Sequence, residues 1–238
     1  MNEVVRRGYF PNDEKEFSGI AVQKLHKAGC DLYYLINQGY PIKGTSVFVG
    51  NHYLLSERQR LALVRAISPE KSIELRRRKE IKSGLENSII HIDGFNTIIT
   101  LEIAFSASTL LKCMDGTIRD LAGLRGTYRL IDKTNLAIMG IGEVLEVKKI
   151  KKAVFYLDAP VSNSGKLKER IVQLLEPFSF EVQVEVTHNV DAVLEMLDYV
   201  VTSDAIILDK CTSWVNLTKE IIERKVGCYP YINLNLRC

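Results

Sequence analysis

Three apolar runs in the second half of this 238-residue chain each close on an aspartate. SIIHIDGF reaches Asp93, AVFYLDAP reaches Asp158, and YVVTSDAIILD reaches Asp204 through Thr202 and Ser203. A short apolar run with a polar exit is the pattern of a strand buried on both faces. Helical patterns separate the runs, over about 97–112, 132–148, 164–176, 189–197 and 214–226. Glu181–Val186 (EVQVEV) alternates as a half-exposed strand does, and Tyr231–Leu234 reads as a last strand. Strands alternating with helices predict an α/β fold built on a parallel sheet. In such sheets ligands bind beyond the carboxyl ends of the strands. If the three strands are neighbours, Asp93, Asp158 and Asp204 share one edge.

The chemistry follows from that edge. Carboxylates brought together repel one another unless something neutralises them. A hard divalent cation such as Mg²⁺ takes oxygen ligands, can activate water and can stabilise charge on a phosphodiester. Asp191, at the start of a predicted helix in HNVDAVLEML, is the fourth candidate ligand; as a first-turn acid it also suits the helix dipole. A single aspartate after a strand often only caps the next helix. Three of them without a cationic neighbour in sequence are harder to explain that way.

The first third of the chain differs. Residues 1–85 carry 15 Lys and Arg against 9 Asp and Glu, and the remainder 17 against 20, so a net charge of +3 conceals +6 and −3. A basic face attracts polyanions. Phe17, Ile20, Ala21, Leu25, Ala28, Leu32 and Leu35 form a helical stripe that stops at Gly39 and Pro41. Thr45 or Ser46 suits the cap of a short helix, and Ser56 with Gln59 forms a capping-box signal for the next. Short helix, turn, helix outlines a helix-turn-helix, a pattern any small bundle shares. Arg76, Arg77, Arg78 and Lys79 form either a solvated charge run or a phosphate-contacting strip. The expected division is a basic, all-helical domain over 1–85, able to bind nucleic acid, and an α/β domain over 86–238.

Composition excludes several classes. Five scattered cysteines without a CxxC pair argue against a thiolate zinc site and a disulfide scaffold, and fit a reducing cytoplasm. MNEVVRRGYF lacks the apolar segment of a secretory signal, and no apolar run reaches 18 residues, so no membrane partner is expected. No G-x-S-x-G or Cys-His signature points to a nucleophile triad.

IIHIDGFN, FYLDA, VDAVLEML and VVTSD, in that order, resemble the PIN-like nucleases, and most of all their NYN branch. The resemblance spans roughly 87–238 and rests on the order of short pieces. It implies a PIN-like (Rossmann-like) fold, an acidic cluster of Asp93, Asp158, Asp191 and Asp204 holding Mg²⁺ or Mn²⁺, a substrate-binding loop asparagine at Asn96, and cleavage of RNA. QGYPIKGTSVFVGNHYLLSERQRLAL resembles a second family, the small domain of unknown function numbered 434, which implies no activity.

TLLKCMDGTIRDLAGLRGTYR departs from the PIN pattern. It reads as a hairpin insert with glycine turns, or as a place where Arg119, Arg125 and Arg129 meet substrate phosphates, with Asp115 and Asp120 as outer-shell ligands. Ser162, Asn163 and Ser164 precede a helix, where backbone N–H groups can receive phosphate or the side chains can simply cap. His91 reads as a packed core histidine, and Trp214 as core. The leading expectation is a metal-dependent ribonuclease-like phosphodiesterase with Asp93, Asp158 and Asp204 as catalytic residues. The alternatives are a non-catalytic RNA-binding protein and a phosphohydrolase of a small phosphorylated metabolite. A homodimer is compatible with all three.

Overall fold

A computed structural model of the chain describes residues 6–123, 126–227 and 229–236. The first third is helical: α1 (Asp13–Glu16), α2 (Gly19–Asn37), α3 (Ile42–His52), α4 (Glu57–Ala66) and α5 (Glu70–Lys79). The stripe predicted for α2 is buried at Leu25, Ala28 and Leu32, while Ile20 is exposed and Leu35 is half-buried, Ile36 taking the core position beside it. Gly39 adopts a φ of +90°, the left-handed conformation that ends the helix cheaply. Ser56 and Gln59 form the expected capping box, with Ser56 Oγ accepting from the Gln59 N–H at 3.1 Å. Thr45 and Ser46 lie inside α3 rather than at its start, because Pro41 supplies the extended entry and Thr45 Oγ1 donates back to the Pro41 carbonyl.

The remainder is mixed α/β: β1 (Ile89–Asp93), α6 (Gly94–Phe105), β2 (Leu110–Lys112), β3 (Ile118–Asp120), α7 (Asp132–Val147), β4 (Lys152–Asp158), α8 (Ser164–Leu175), β5 (Glu181–Thr187), α9 (Val190–Leu194), β6 (Val200–Val201), α10 (Ala205–Lys210), α11 (Leu217–Lys225) and β7 (Ile232–Asn233). Four strands make a parallel sheet in the order β5-β4-β1-β6. The strands that end near Asp158, Asp93 and Asp204 are therefore consecutive neighbours. β4 alternates as the pleat requires: Ala153, Phe155 and Leu157 join the core that includes α6, α7, α8 and α11, and Val154 and Tyr156 pack with α9 and α10. Trp214 is fully buried in that second layer, as its sequence context predicts.

A second, small sheet has the order β3-β2-β7. β2 and β3 form an antiparallel hairpin whose turn uses Gly116 at φ +84°. The helical pattern expected over 97–112 thus ends early. Ser106, Ala107 and Ser108 close α6, and Leu110–Lys112 extends as β2, whose alternation leaves Leu110 in the core of α6 and turns Leu111 into a different one. That second core includes Leu111, Cys113, Met114, Leu121, Ile232 and Leu234, packed with Leu63, Ala66 and Ile67 of the helical third. The two sides of residue 85 share this hydrophobic cluster.

Candidate functional site

Asp93 ends β1 and caps α6. Its Oδ1 accepts from the Asn96 N–H at 3.3 Å and its Oδ2 from the Thr202 hydroxyl at 2.8 Å. Gly94 makes this exit possible. A Cβ there would stand 2.5 Å from Leu157 Cδ2 and 2.9 Å from the Tyr156 carbonyl, so the turn presses directly on β4. Asp204 follows β6 and caps α10, with Oδ1 accepting from Ile206 N–H at 2.7 Å and Ile207 N–H at 3.3 Å. Its Oδ2 has no partner among the described residues, and neither do the carboxylate oxygens of Asp158 and Asp191. All four aspartates line one open cavity of about 430 Å³ above the sheet edge.

Their charges sense one another. Burial pushes the Asp93 carboxyl up to about 7, against 3.8 ordinarily, and the charges of Asp204 and Asp158 add to the rise; Thr202 and the Asn96 N–H oppose it. Burial and the Asp191 charge raise Asp158. Burial and Asp204, then Glu195, raise Asp191, with Lys210 opposing. The cluster is acid short of compensating cation.

Asn96 lies in the first turn of α6 rather than in a loop, and its side-chain oxygen is engaged within the protein rather than left for substrate. Its Oδ1 accepts from both the N–H and the hydroxyl of Ser203, at 2.8 and 2.9 Å, which fixes the turn that presents Asp204. Arg119 braces the same turn from the other side, its Nε donating to the Ser203 carbonyl at 2.6 Å. Its two Nη atoms bind the Arg65 carbonyl and Asp115. Arg119 lines the cavity but is buried and fully committed, so it is a bracket rather than the phosphate contact expected of it. Asp115 is buried between Arg119 and Arg76, outside the cavity, and is not an outer-shell ligand. Asp120 does line the cavity and receives Thr100 Oγ1 at 2.9 Å.

Other expected phosphate contacts are placed elsewhere. Arg129 is exposed and away from the cavity, and Arg125 lies outside the described residues. Ser162 Oγ accepts from the Tyr128 N–H and Asn163 Nδ2 donates to the Tyr128 carbonyl at 2.6 Å, so both side chains hold the 126–128 segment. Ser164 is buried at the start of α8, with its N–H donating to the Val161 carbonyl. None of the three borders the cavity. Of the 76–79 run, Arg76 is buried against Asp115 and Asp209, and Lys79 donates to the carbonyls of Asp209 and Cys211. Arg77 and Arg78 remain exposed. His91 is half-buried and its Nδ1 lies 3.0 Å from the Tyr156 hydroxyl, in the packed role its sequence suggests. Sequence reasoning missed Arg65 and Val64, which α4 delivers into the cavity from the helical third.

The donor set is all oxygen, which suits a hard cation. No three His, Cys, Asp or Glu side chains among the described residues close into a metal-binding group, so the four aspartates are not a preformed cage. Asp93 is the reason on one side, since both its oxygens already accept hydrogen bonds. Mg²⁺ does not require such a cage: one or two carboxylates, retained waters and substrate phosphate suffice. Asp158, Asp191 and Asp204, with unpartnered oxygens on one cavity, fit that mode.

The family Domain of unknown function (DUF5616) matches residues 82–220, more than half of the chain. The chain belongs to the DUF5616 family. Protein of unknown function (DUF434) matches residues 24–79, the helical third. A relative is Uncharacterized protein MJ0935 of Methanocaldococcus jannaschii, 37% identical over 202 residues that cover 84% of this chain and 97% of that protein. No solved structure matches the chain. The DUF5616 match contains Asp93, Asp120, Asp158, Asp191 and Asp204 of the cavity, and the DUF434 match contains Arg65. No helix among the described residues is long and apolar enough to cross a membrane.

Proposed function

We propose that this DUF5616 protein is a metal-dependent, ribonuclease-like phosphodiesterase with a PIN-like α/β domain and RNA as substrate. One observation carries the reading: four aspartates from neighbouring strand exits and a helix start line one open cavity, and burial and mutual repulsion raise three of them. A fold pays such an electrostatic cost where a cation is to be bound. The order of the aspartates, and Asn96 beside Asp93, are the features shared with PIN-like nucleases.

Asp158, Asp191 and Asp204 would hold Mg²⁺ or Mn²⁺, with Asp93 behind them. A divalent cation there supplies charge neutralisation and a more acidic water for in-line attack on phosphorus. Thr202 and the Asn96 N–H fix the Asp93 carboxyl. Asn96 and Arg119 grip Ser203 from opposite sides and hold Asp204 to the cavity. With its Oδ1 fixed by the N–H groups of α10, Asp204 presents Oδ2 without rotating. The division near residue 85 belongs to the same reading: the helical region supplies a wall of the cavity and a basic approach for a polyanion.

The test is incubation of the purified full chain with end-labelled single-stranded RNA and Mg²⁺ or Mn²⁺. Cleavage that disappears with EDTA and in Asp158→Asn supports the reading. RNA binding without cleavage in either metal points instead to the non-catalytic alternative.

A further inference from the structure

We propose that Arg65, carried into the aspartate cavity by α4, is the phosphate-binding group of this site, and that Val64 and Ile206 form the apolar lip for the base of the same nucleotide. The proposal rests on the ribonuclease reading for the identity of the polymer, but the anion contact stands on its own geometry.

The cavity offers Arg65 and Arg119 as its arginines. Arg119 has its guanidinium fully committed to Ser203, Arg65 and Asp115. Arg65 is held along one side only. Its Nη1 donates to the Asp120 carbonyl at 2.6 Å, to Asp120 Oδ1 at 3.2 Å and to the Ala122 carbonyl at 3.1 Å. Nε and Nη2 have no partner among the described residues. A guanidinium pinned at one nitrogen keeps a planar edge of donors for a phosphate, already oriented. The backbone beneath it is equally fixed. α4 is started by the Ser56–Gln59 capping box, packs Ala62, Leu63 and Ala66 into the core, and has its last turn gripped by Arg119 at the Arg65 carbonyl.

The apolar side of the cavity completes the match. Val64 and Ile206 are exposed at 38% and 59%, one from each wall, above buried Phe95 and Ile99. Carboxylates for a cation, an arginine fork for phosphate and an aliphatic lip for a flat ring are what one nucleotide unit presents together. About 430 Å³ falls in the range of roughly 300–1,000 Å³ that small-ligand pockets occupy. A base can reach the lip only when unstacked, so the substrate is single-stranded.

The test measures binding of a labelled single-stranded oligoribonucleotide to the full chain by anisotropy, in Mg²⁺ and in an Asp158→Asn background, across a salt series. Arg65→Met is expected to weaken binding about tenfold and to make the slope of log affinity against log salt less negative by about 0.7, one lost phosphate contact on a single strand. Arg65→Gln keeps a donor for Asp120 and Ala122 but not the charge, so it should show the same slope change even if Arg65→Met fails to fold. Arg65→Lys should recover the slope without the full affinity. Unchanged affinity and slope in Arg65→Gln would overturn the assignment. Cleavage by the wild-type chain is scored separately. Cleavage with an Arg65-independent slope removes the assignment and keeps the nuclease reading. An Arg65-dependent slope with no cleavage keeps the assignment and removes that reading.

Discussion

Asp115 and Asp93 are both buried aspartates close to the Ser203 turn, and their surroundings differ in sign. Burial alone would raise both carboxyls. At Asp115 the Arg119 charge, the Thr117 hydroxyl and N–H, and the Arg76 charge outweigh burial and hold the carboxyl below its usual range. At Asp93 the nearby charges are other carboxylates, and the group rises to about 7. The first is a closed ion cluster that joins α5, the small sheet and α10. The second belongs to an open cluster that the protein leaves uncompensated. A satisfied buried acid is scaffold; an unsatisfied group of acids on a cavity is a place prepared for something else.

The largest expected effect lies on the open side. Asp158→Asn and Asp204→Asn should each lower RNA cleavage by on the order of 10²-fold or more, as loss of a charged group in a reacting site does. Their thermal midpoints should stay close to wild type. Residual activity near wild type in both would erase the distinction between the two clusters.

On the closed side the effect is on stability. Asp115→Ala leaves Arg76 and Arg119 without their shared partner and should cost about 3–5 kcal/mol, read in denaturant unfolding. A cost under about 1 kcal/mol would show that the cluster is not scaffold.

Asp93 should do the opposite. Its folded-state carboxyl is raised above 3.8, so its contribution to stability is full below about pH 4 and is lost as pH rises through about 7. Without divalent metal, wild-type stability should therefore fall across that window. Asp93→Asn should flatten the fall and be no less stable than wild type at pH 8. A stability that rises with pH from 4 to 7 more steeply in wild type than in Asp93→Asn would contradict the raised carboxyl.

The smallest effect is a control on the phosphate assignment. Arg129 is exposed and away from the cavity, so Arg129→Ala should change RNA affinity less than about threefold and stability by less than about 0.5 kcal/mol. A larger loss of affinity would extend the binding face beyond the cavity.

Asp93, Asp158 and Asp204 were legible because strand exits follow a local grammar: apolar run, then acid. The grammar gave the exits, and the strand order β4-β1-β6, which no local pattern fixes, brings the three to one edge. The arginines were not legible. Arg119, Arg76 and Arg65 look alike in sequence, and only tertiary packing decides which guanidinium is enclosed by carbonyls and Asp115 and which keeps a free edge. Arg119 sits on the β3 arm of a hairpin that turns at Gly116, and Ser162 and Asn163 before α8 serve Tyr128. Leu110–Lys112 looked helical because its apolar residues continue the α6 pattern, yet Leu110 and Leu111 point into two different cores, as a strand's alternation requires. The cavity wall formed by α4 joins residues about 140 positions apart in sequence, a distance over which periodicity carries no information.

The central claim is that the open aspartates are a divalent-cation site, and calorimetric titration of Mn²⁺ into the full chain at neutral pH tests it most directly. The claim requires saturable binding in wild type that releases protons, since Asp93 is part-protonated near pH 7, and binding at least about tenfold weaker in Asp158→Asn and Asp204→Asn. Asp115→Asn should leave Mn²⁺ affinity within about threefold wherever the protein is folded. No saturable binding in wild type, or equal binding in wild type and both cavity variants, would contradict the account.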